Sequence, residues 1–463
     1  MKRITFIDTE IQPNKGTILD IGGIKDDNST FHSADIGAFT AFLRGSSFIC
    51  GHNIINHDME YVGKAVRDAG IAESDVIDTL HLSPLLFPAR PYHALVKDDK
   101  LQSEEKNNPL NDSKKAMELF VDEVDAFHRL DQDMKNIYFK LLKDQKHFRA
   151  FFKYVDYRPE SFNIERAIRD KLKGQICHNA NLLKLISVYP VELAYSIALI
   201  HANSRYSITP PWVLRNYPAV EKVMFLLKSN PCLTGCVHCN EAWDIHKGLK
   251  RFFGFDKYRS YDGEPLQQKA VKAAVDNKSL LAIFPTGGGK SLTFQIPALM
   301  SGEAVKGLTV IISPLQSLMK DQVDNLEVAG ITEAVTINGL LDPIERSISM
   351  DRVADGSASI LYISPESLRS KTIEHLLLGR NVVRFVIDEA HCFSAWGQDF
   401  RVDYLYIGDF IKQYQIKKNL QDSIPVSCFT ATAKQNVIED IRKYFKDKLA
   451  LDITVFRSGA TRT

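Results

Sequence analysis

The sequence has 463 residues, of which 44% are hydrophobic and 25% charged, as in folded globular proteins. A formal net charge of +1 excludes a chain that is basic throughout, so any nucleic-acid surface must be a local patch. Seven cysteines in this length exclude a disulfide scaffold, and neither a signal peptide nor an apolar run of roughly 20 residues is present. We expect about three domains, a reduced cytoplasmic location and no contact with a membrane.

Three zones of the sequence differ in their patterns. Residues 1–115 combine strands and helices, residues 116–250 form an almost entirely helical connector, and residues 251–463 alternate apolar strands with amphipathic helices. The last pattern predicts a parallel sheet wrapped in helices, so the fold class is α/β. In chain order the predicted elements are strands Lys2–Asp8 and Gly16–Lys25, helices Met59–Ala69, Met134–Val155 and Pro190–Ala202, and strands Leu280–Phe284, Leu308–Ser313, Ile360–Ser364, Val382–Asp388 and Val426–Phe429.

Acidic residues mark the first zone. Asp8 and Glu10 end the first predicted strand, and alternate strand positions point the same way, so both carboxylates face one side. Asp58 follows at a strand-to-helix junction, and His93 and Asp98 come later with four residues between them. Four converging carboxylates can hold two Mg²⁺ or Mn²⁺ ions about 4 Å apart, which activate a water for phosphodiester cleavage. His93 would be the general base.

This ordered set, over about residues 1–115, resembles the DnaQ-like exonucleases, whose pattern is Asp-x-Glu, a second Asp and then His-x4-Asp. The tyrosine subclass would need a tyrosine where Ala94 stands, so the resemblance is to the histidine subclass. It implies an RNase H-like exonuclease fold with two-metal 3′-to-5′ exonuclease activity. The alternative is a degenerate RNase H-like module that binds nucleic acid without cutting it.

A cysteine cluster lies at the end of the connector. Cys232, Cys236 and Cys239 fall within eight residues, and close thiolates of this spacing are typical metal ligands. The fourth ligand stays open between Cys177 and His246. Zinc suits either choice, four cysteines would also suit an iron–sulfur cluster, and a cluster without metal is the remaining alternative.

A glycine-rich loop in the third zone follows a predicted strand and opens a helix. Its backbone N–H groups can face phosphate, Lys290 can reach the terminal phosphates of ATP, and the Ser291 hydroxyl can ligate Mg²⁺. About 100 residues later Asp388 can hold the magnesium and Glu389 can orient the attacking water. A chance glycine-rich turn is the alternative. The loop comprises Thr286, Gly287, Gly288, Gly289, Lys290 and Ser291.

Further motifs of the third zone are Ser313–Gln322, Asp388–Arg401 and Phe429–Ala433, together with Tyr258, Arg259 and Gln267. With these motifs, about residues 250–460 resemble the RecQ group of superfamily 2 helicases. The resemblance implies a RecA-like ATP-binding lobe and ATP-driven 3′-to-5′ translocation on single-stranded DNA. Phe393, Trp396 and Phe400 offer flat faces to bases, and Arg401 adds charge. The alternative for Trp396 and Phe400 is that they are ordinary core aromatics. The resemblance also implies that Tyr258, Arg259 and Gln267 contact the adenine of ATP.

Together these features predict an ATP-dependent DNA helicase of RecQ type coupled to a two-metal exonuclease, acting in DNA repair or recombination. The rival is a binding module, an ATP-gated DNA clamp or recruitment platform without turnover. RecQ-type motors have two RecA-like lobes, and this sequence ends at Ser458–Thr463, where a second lobe would begin. We therefore expect a fragment that lacks the second lobe.

Overall fold

A computed structural model describes residues 2–12, 15–90, 93, 108–204, 208–229, 232, 235–285, 287–393, 402–420 and 422–459. Contacts divide the chain into two compact units, Met1–Lys173 with Asn181–Asn203, and Gly174–Ala180 with Ser204–Thr463. By these contacts the predicted connector at 116–250 is shared: its first part packs with the first unit and its last part with the second. None of the described helices is long and apolar enough to cross a membrane.

In the described part of the first unit, five strands form one sheet in the order β3-β2-β1-β4-β5. β1 pairs antiparallel with β2, which pairs antiparallel with β3, whereas β4 and β5 run parallel to β1. The strands are β1 Ile4–Ile11, β2 Ile18–Lys25, β3 Thr30–His32, β4 Phe48–Gly51 and β5 Val76–Asp78. The helices are α1 Ile36–Leu43, α2 Asp58–Asp68, α3 Thr79–Leu86, α4 Pro109–Arg129, α5 Gln132–Leu142, α6 Arg149–Val155, α7 Ile164–Lys171, α8 Leu182–Val188 and α9 Pro190–Ala202.

One predicted helix of the first unit is wrong in extent. The helix predicted over Met134–Val155 is two helices, α5 and α6, separated by residues 143–148. Within that break the Phe148 amide donates to the Gln145 carbonyl at 3.0 Å, which makes a turn. The break lets Leu142 at one end and Phe151 at the other both lie in the core. The polar residues of the break fit a helix face equally well, so periodicity alone could not separate the two cases.

In the described part of the second unit, seven strands form a parallel sheet in the order β12-β6-β11-β10-β7-β9-β8, which confirms the α/β prediction. The strands are β6 Ser279–Ile283, β7 Leu308–Ile312, β8 Ala334–Ile337, β9 Ile360–Ile363, β10 Val382–Ile387, β11 Val426–Thr430 and β12 Ile453–Arg457. The helices are α10 Pro211–Asn216, α11 Val220–Met224, α12 Val237–Ala242, α13 Ile245–Phe253, α14 Leu266–Val275, α15 Lys290–Val305, α16 Gln316–Val328, α17 Pro343–Ala354, α18 Lys371–Leu378, α19 Tyr404–Lys417 and α20 Gln435–Leu449.

Both faces of this second sheet are buried, as a parallel sheet with crossover helices requires. Alternate residues of β10 show it: Phe385 and Ile387 belong to the apolar cluster on one face, and Val386 to the cluster on the other. The carboxyl ends of the neighbouring strands β6, β11, β10 and β7 lie along one edge. Loops that leave this edge form the usual ligand crevice of such sheets.

Candidate functional sites

The glycine-rich loop of the second unit joins β6 to α15. Gly287 and Gly289 adopt φ values of +73° and +82°, which a residue without a Cβ adopts at little cost. Gly289 is the N-cap of α15, and Lys290 and Ser291 are the first residues of this 16-residue helix. Backbone N–H groups at such a helix start favour an anion. Thr286 lies outside the described residues.

Gln267, in the first turn of α14, and Arg259, in the segment before that helix, both contact this loop. Gln267 is 2% exposed, its Oε1 accepts from the Arg259 amide at 2.8 Å, and its Nε2 donates to the Gly289 carbonyl at 2.9 Å. The Arg259 guanidinium donates to the Gly287 carbonyl at 2.6 Å. Two of the three predicted adenine-site residues are therefore in direct contact with the phosphate loop.

Tyr261, which the sequence analysis did not single out, also contacts the loop. Its hydroxyl donates to the Gly288 carbonyl, and its ring stacks on Phe284 with centroids 4.6 Å apart. Tyr258 makes a different contact, since its hydroxyl donates to the Ile245 carbonyl at 2.7 Å. A second tyrosine two residues after the Tyr-Arg pair was the only signal in the sequence.

Two carboxylates follow β10 beside the loop. Lys290 Nζ lies 3.3 Å from Glu389 Oε1, and the Ser313 hydroxyl lies 3.5 Å from Asp388 Oδ2. Burial, and then the neighbouring charge of Glu389, raise the pKa of Asp388. Glu389 has a φ of +48°, a conformation that is rare for a residue with a side chain and concentrates at functional sites. The predicted catalytic pair and the predicted phosphate-binding lysine therefore form one site.

His391 connects this site to the end of β11. Its Nδ1 lies 3.0 Å from the Thr430 hydroxyl and 3.2 Å from Glu389 Oε2, and the Thr430 hydroxyl donates onward to the Thr432 carbonyl. Hydrogen bonds with Cys392 and then Glu389 raise the pKa of His391 to about 10. The imidazole is therefore charged at neutral pH, and it also lowers the pKa of Glu389.

The predicted DNA-contacting aromatics fall largely outside the described residues. Phe393 is described and is 5% exposed. It packs edge-on against Tyr404 and Phe445, with centroids 5.3 Å away in both cases, and against Tyr444 at 4.8 Å. Its ring has no face open to a base, so the structure places Phe393 in the core rather than at a DNA surface. The residues outside the described part are Trp396, Phe400 and Arg401.

In the first unit, Asp8 and Glu10 lie two residues apart on β1. Asp58 is the first residue of α2, is 2% exposed, and accepts from the Thr9 hydroxyl at 2.7 Å. Burial, and then the charges of Asp58, Asp112 and Glu10, raise the pKa of Asp8 to about 8. Three carboxyl groups thus act on Asp8, and two of them, Asp58 and Glu10, are predicted residues.

Asp112 was not among the predicted residues, and the fold explains its position. It lies in the first turn of α4. Gly22 of β2 pairs with Asp8, and a Cβ on Gly22 would lie 2.1 Å from the Leu110 amide nitrogen. Only glycine therefore allows the start of α4 to lie against the strand beside Asp8. Asp98, the predicted fourth carboxylate, lies outside the described residues.

Asp78 holds the loop that leads into α2. Its Oδ1 accepts from the Asn53 and Leu80 amides at 2.9 and 3.0 Å, and its Oδ2 accepts from the Ile55 amide at 3.1 Å. Burial raises the pKa of Asp78 to about 7 although these N–H donors oppose the shift. Asp78 is therefore a positioning residue for Asp58.

His93 is 7% exposed, and its Nδ1 lies 3.0 Å from the Ser83 hydroxyl. Burial lowers the pKa of His93 to about 4, so the ring is neutral at physiological pH. A neutral imidazole is the form that a general base requires. This hydrogen bond joins His93 to α3 and does not by itself bring it to Asp8, Glu10 or Asp58.

The four-cysteine cluster lies within the second unit. The Sγ atoms of Cys177, Cys232, Cys236 and Cys239 all lie within 4.8 Å of one another. In the part of the chain that the structure describes, no other group of three or more histidine, cysteine or acidic side chains comes so close, the carboxylates of the first unit included. Of the two candidate fourth ligands, the structure brings Cys177 to the cluster, whereas the His246 ring lies 5.5 Å from the ring of Tyr258.

Comparison with known proteins concerns the second unit. Residues 264–441 match the family model of the DEAD/DEAH box helicases. The chain is 42% identical over 195 residues to the ATP-dependent DNA helicase RecQ of Bacillus subtilis, and 36% identical over 200 residues to that of Haemophilus influenzae. These alignments cover 42% and 43% of this chain and 30% of each relative, so the chain spans about a third of their length. A solved structure of a hypothetical ATP-dependent RNA helicase from Sulfolobus tokodaii is 19% identical with a TM-score of 0.33, and covers 46% of this chain and 56% of that one.

Proposed function

We propose that the second unit is the ATP-binding lobe of an ATP-dependent DNA helicase of RecQ type that moves 3′ to 5′ on DNA. The observation that carries the proposal is the set of contacts around the phosphate loop. Gln267 and Arg259 donate hydrogen bonds to carbonyl groups of the loop, and Lys290 Nζ lies 3.3 Å from the Glu389 carboxylate. The names of the RecQ relatives support DNA as the substrate.

Binding of ATP breaks the ion pair between Lys290 and Glu389. The terminal phosphate carries more negative charge than Glu389, so Lys290 turns to it and releases the Glu389 carboxylate to orient the attacking water. Asp388 and the Ser291 hydroxyl supply the oxygen ligands that Mg²⁺ prefers, and a bound Mg²⁺ would neutralise phosphate charge. His391 contacts both Glu389 and Thr430, so a change at Glu389 alters the hydrogen bonds at the end of β11.

For the first unit we propose a two-metal 3′-to-5′ exonuclease that trims DNA. The supporting observation is that the charges of Asp58, Asp112 and Glu10 contribute to raising the pKa of Asp8, since acidic groups this close to a buried carboxyl favour a bound cation. The fourth ligand is Asp112 or the predicted Asp98. His93 is the proposed base.

The test uses one preparation of the full chain, assayed for nuclease activity with Mg²⁺ or Mn²⁺ and for ATP hydrolysis with and without single-stranded DNA. Asp8→Asn should abolish cutting and leave ATP binding unchanged. Lys290→Ala should abolish ATP binding and leave cutting unchanged. Asp98→Asn and Asp112→Asn form a matched pair, and only the variant that removes a metal ligand should lose the nuclease.

The rival function is an ATP-gated DNA clamp. It requires DNA and ATP binding with no cutting under any of these conditions, and such a result would overturn the nuclease proposal. The motor proposal would be overturned by a form of the protein with both RecA-like lobes that binds ATP and DNA without hydrolysing ATP. A cytoplasmic location and a role in DNA repair or recombination complete the proposed function.

A further inference from the structure

We propose that Cys177, Cys232, Cys236 and Cys239 bind a single tetrahedral Zn²⁺ that fastens the segment Gly174–Ala180 to the second unit. The four thiol groups come from two stretches far apart in the sequence, yet their sulfur atoms lie within 4.8 Å of one another. Zn–S bonds of about 2.3 Å in a tetrahedron place the sulfurs about 3.8 Å apart. The cluster therefore needs only a small contraction to hold one ion.

The same separation distinguishes one ion from an iron–sulfur cluster. A cluster of four irons and four sulfides inserts several atoms between the cysteine ligands, so it moves their sulfur atoms further apart than one ion does. Sulfurs within 4.8 Å of one another fit the single ion. With four protein ligands the ion has no open position, which is the arrangement of a structural rather than a catalytic zinc.

Backbone N–H groups around the cluster point at the sulfur atoms. The Cys236 amide donates to Cys232 Sγ at 3.2 Å, and the Cys232 amide donates to Cys239 Sγ at 3.4 Å. The His178 amide donates to Cys236 Sγ at 3.4 Å. Four thiolates around Zn²⁺ leave two net negative charges, and donors of this kind stabilise such charge and orient the ligands.

Because Cys177 lies in the segment Gly174–Ala180, an ion bound to it would link this segment to the second unit. Residues on both sides of Gly174–Ala180 belong to the first unit, while this segment belongs to the second. Its backbone hydrogen bonds to the second unit include the one from the Cys177 amide to the Leu227 carbonyl at 2.7 Å and the one from the His178 amide to Cys236 Sγ. A metal–thiolate bond at Cys177 adds a link that is much stronger than either.

The experiment measures metal in the full chain purified without added metal. Elemental analysis should find about one zinc per chain, and a thiol reagent should release it. Exchange with Co²⁺ should give the visible absorption of a tetrahedral thiolate site, which is a readout that needs no variant. Cys177→Ser should weaken zinc binding by more than the roughly 10–100-fold that loss of an outer-shell partner costs.

Two matched controls separate this result from misfolding. Cys428→Ser replaces a buried cysteine outside the cluster and should leave zinc unchanged. His246→Ala should also retain zinc, because His246 lies beside Tyr258. Zinc removal should expose Gly174–Ala180 to a protease while the rest of the second unit stays resistant. A metal-free wild type that takes up neither Zn²⁺ nor Co²⁺, a brown iron-containing protein, or zinc lost in His246→Ala but kept in Cys177→Ser would each overturn the proposal.

Discussion

Gly289→Ala tests whether the contact between Gln267 and the phosphate loop is a real structural constraint. The added Cβ would lie 2.7 Å from Gln267 Nε2, so the amide must move. Moving it breaks the hydrogen bonds of Gln267 with the Gly289 carbonyl and the Arg259 amide. The chain offers a matched control in Gly287→Ala, because Gly287 has a similar positive φ but no atom of the described residues within 4 Å of the added Cβ.

The structure sets the expected difference between the two variants. Alanine in a left-handed conformation costs about 1–2 kcal/mol, and both variants bear this cost. Gly289→Ala also loses two hydrogen bonds, each of which contributes about 0.5–1.5 kcal/mol. The extra loss in the free energy of unfolding is therefore about 1–3 kcal/mol. For a unit of this size it should lower Tm by roughly 2–12 °C below that of Gly287→Ala.

The assay is thermal unfolding of the full chain without nucleotide, following the transition that an ATP analogue raises, because that transition belongs to the nucleotide-binding unit. Gln267→Ala combined with Gly289→Ala provides the closing step of a double-mutant cycle. The extra loss should disappear on the Gln267→Ala background. Equal Tm values for Gly287→Ala and Gly289→Ala would refute the reasoning, as would an extra loss that persists without Gln267.

Three further predictions concern ionisable groups. In the folded first unit the pKa of Asp8 is about 8, above its usual 3.8. Protonation of Asp8 therefore stabilises the metal-free unit. This contribution is fully present below about pH 4 and is lost as the pH rises through about 8. Mg²⁺ or Mn²⁺ should therefore raise the Tm of that unit more at about pH 9 than at about pH 6. Asp8→Asn should remove this difference. Equal increases in Tm at both pH values would contradict the prediction. Lys290→Ala should weaken ATP-analogue binding in a fluorescence titration by at least about tenfold, the equivalent of about 1.4 kcal/mol, without changing nuclease rates, and unchanged affinity would remove Lys290 from the site. Glu123 is buried, and neither of its carboxylate oxygens is hydrogen-bonded in the described part of the chain. Because burial raises the pKa of Glu123, Glu123→Met should raise the Tm of the first unit. A lower Tm would reveal a partner for this carboxyl outside the described residues.

The sequence predicts five of the seven described strands of the second sheet because their signals are local. Each motif follows an apolar strand, and parallel strands bring their carboxyl ends to one edge, so Lys290 and Glu389 had to meet once the sheet formed. Phe393 shows the limit of this reasoning. Its motif position suggested an exposed aromatic face, but its burial depends on packing against Tyr444 and Phe445, and both residues lie about 50 positions further along the chain.

The first unit shows a second limit. Asn108 and Pro109 carry a helix-start signal, an N-cap followed by proline, and the structure begins α4 there. What the sequence could not supply was the side-by-side placement of this helix start and β1, which depends on Gly22. Likewise, no local pattern could select Cys177 over His246, because the choice depends on a contact between distant segments.

The chain enters the second unit at Gly174, returns to the first at Asn181 and enters the second again at Ser204, and this order has a consequence for synthesis on the ribosome. Cys177 belongs to the second unit, but the residues that follow it, Asn181–Asn203, belong to the first. At about 5–20 residues per second, the 55 residues from Cys177 to Cys232 take roughly 3–11 s to be translated. The same interval includes the synthesis of Asn181–Asn203, the last part of the first unit, and Cys177 is present without its three partner cysteines until the interval ends. A cell that produces this protein must keep that thiol reduced during elongation, and recombinant expression should be sensitive to oxidants at this stage, before the protein is finished.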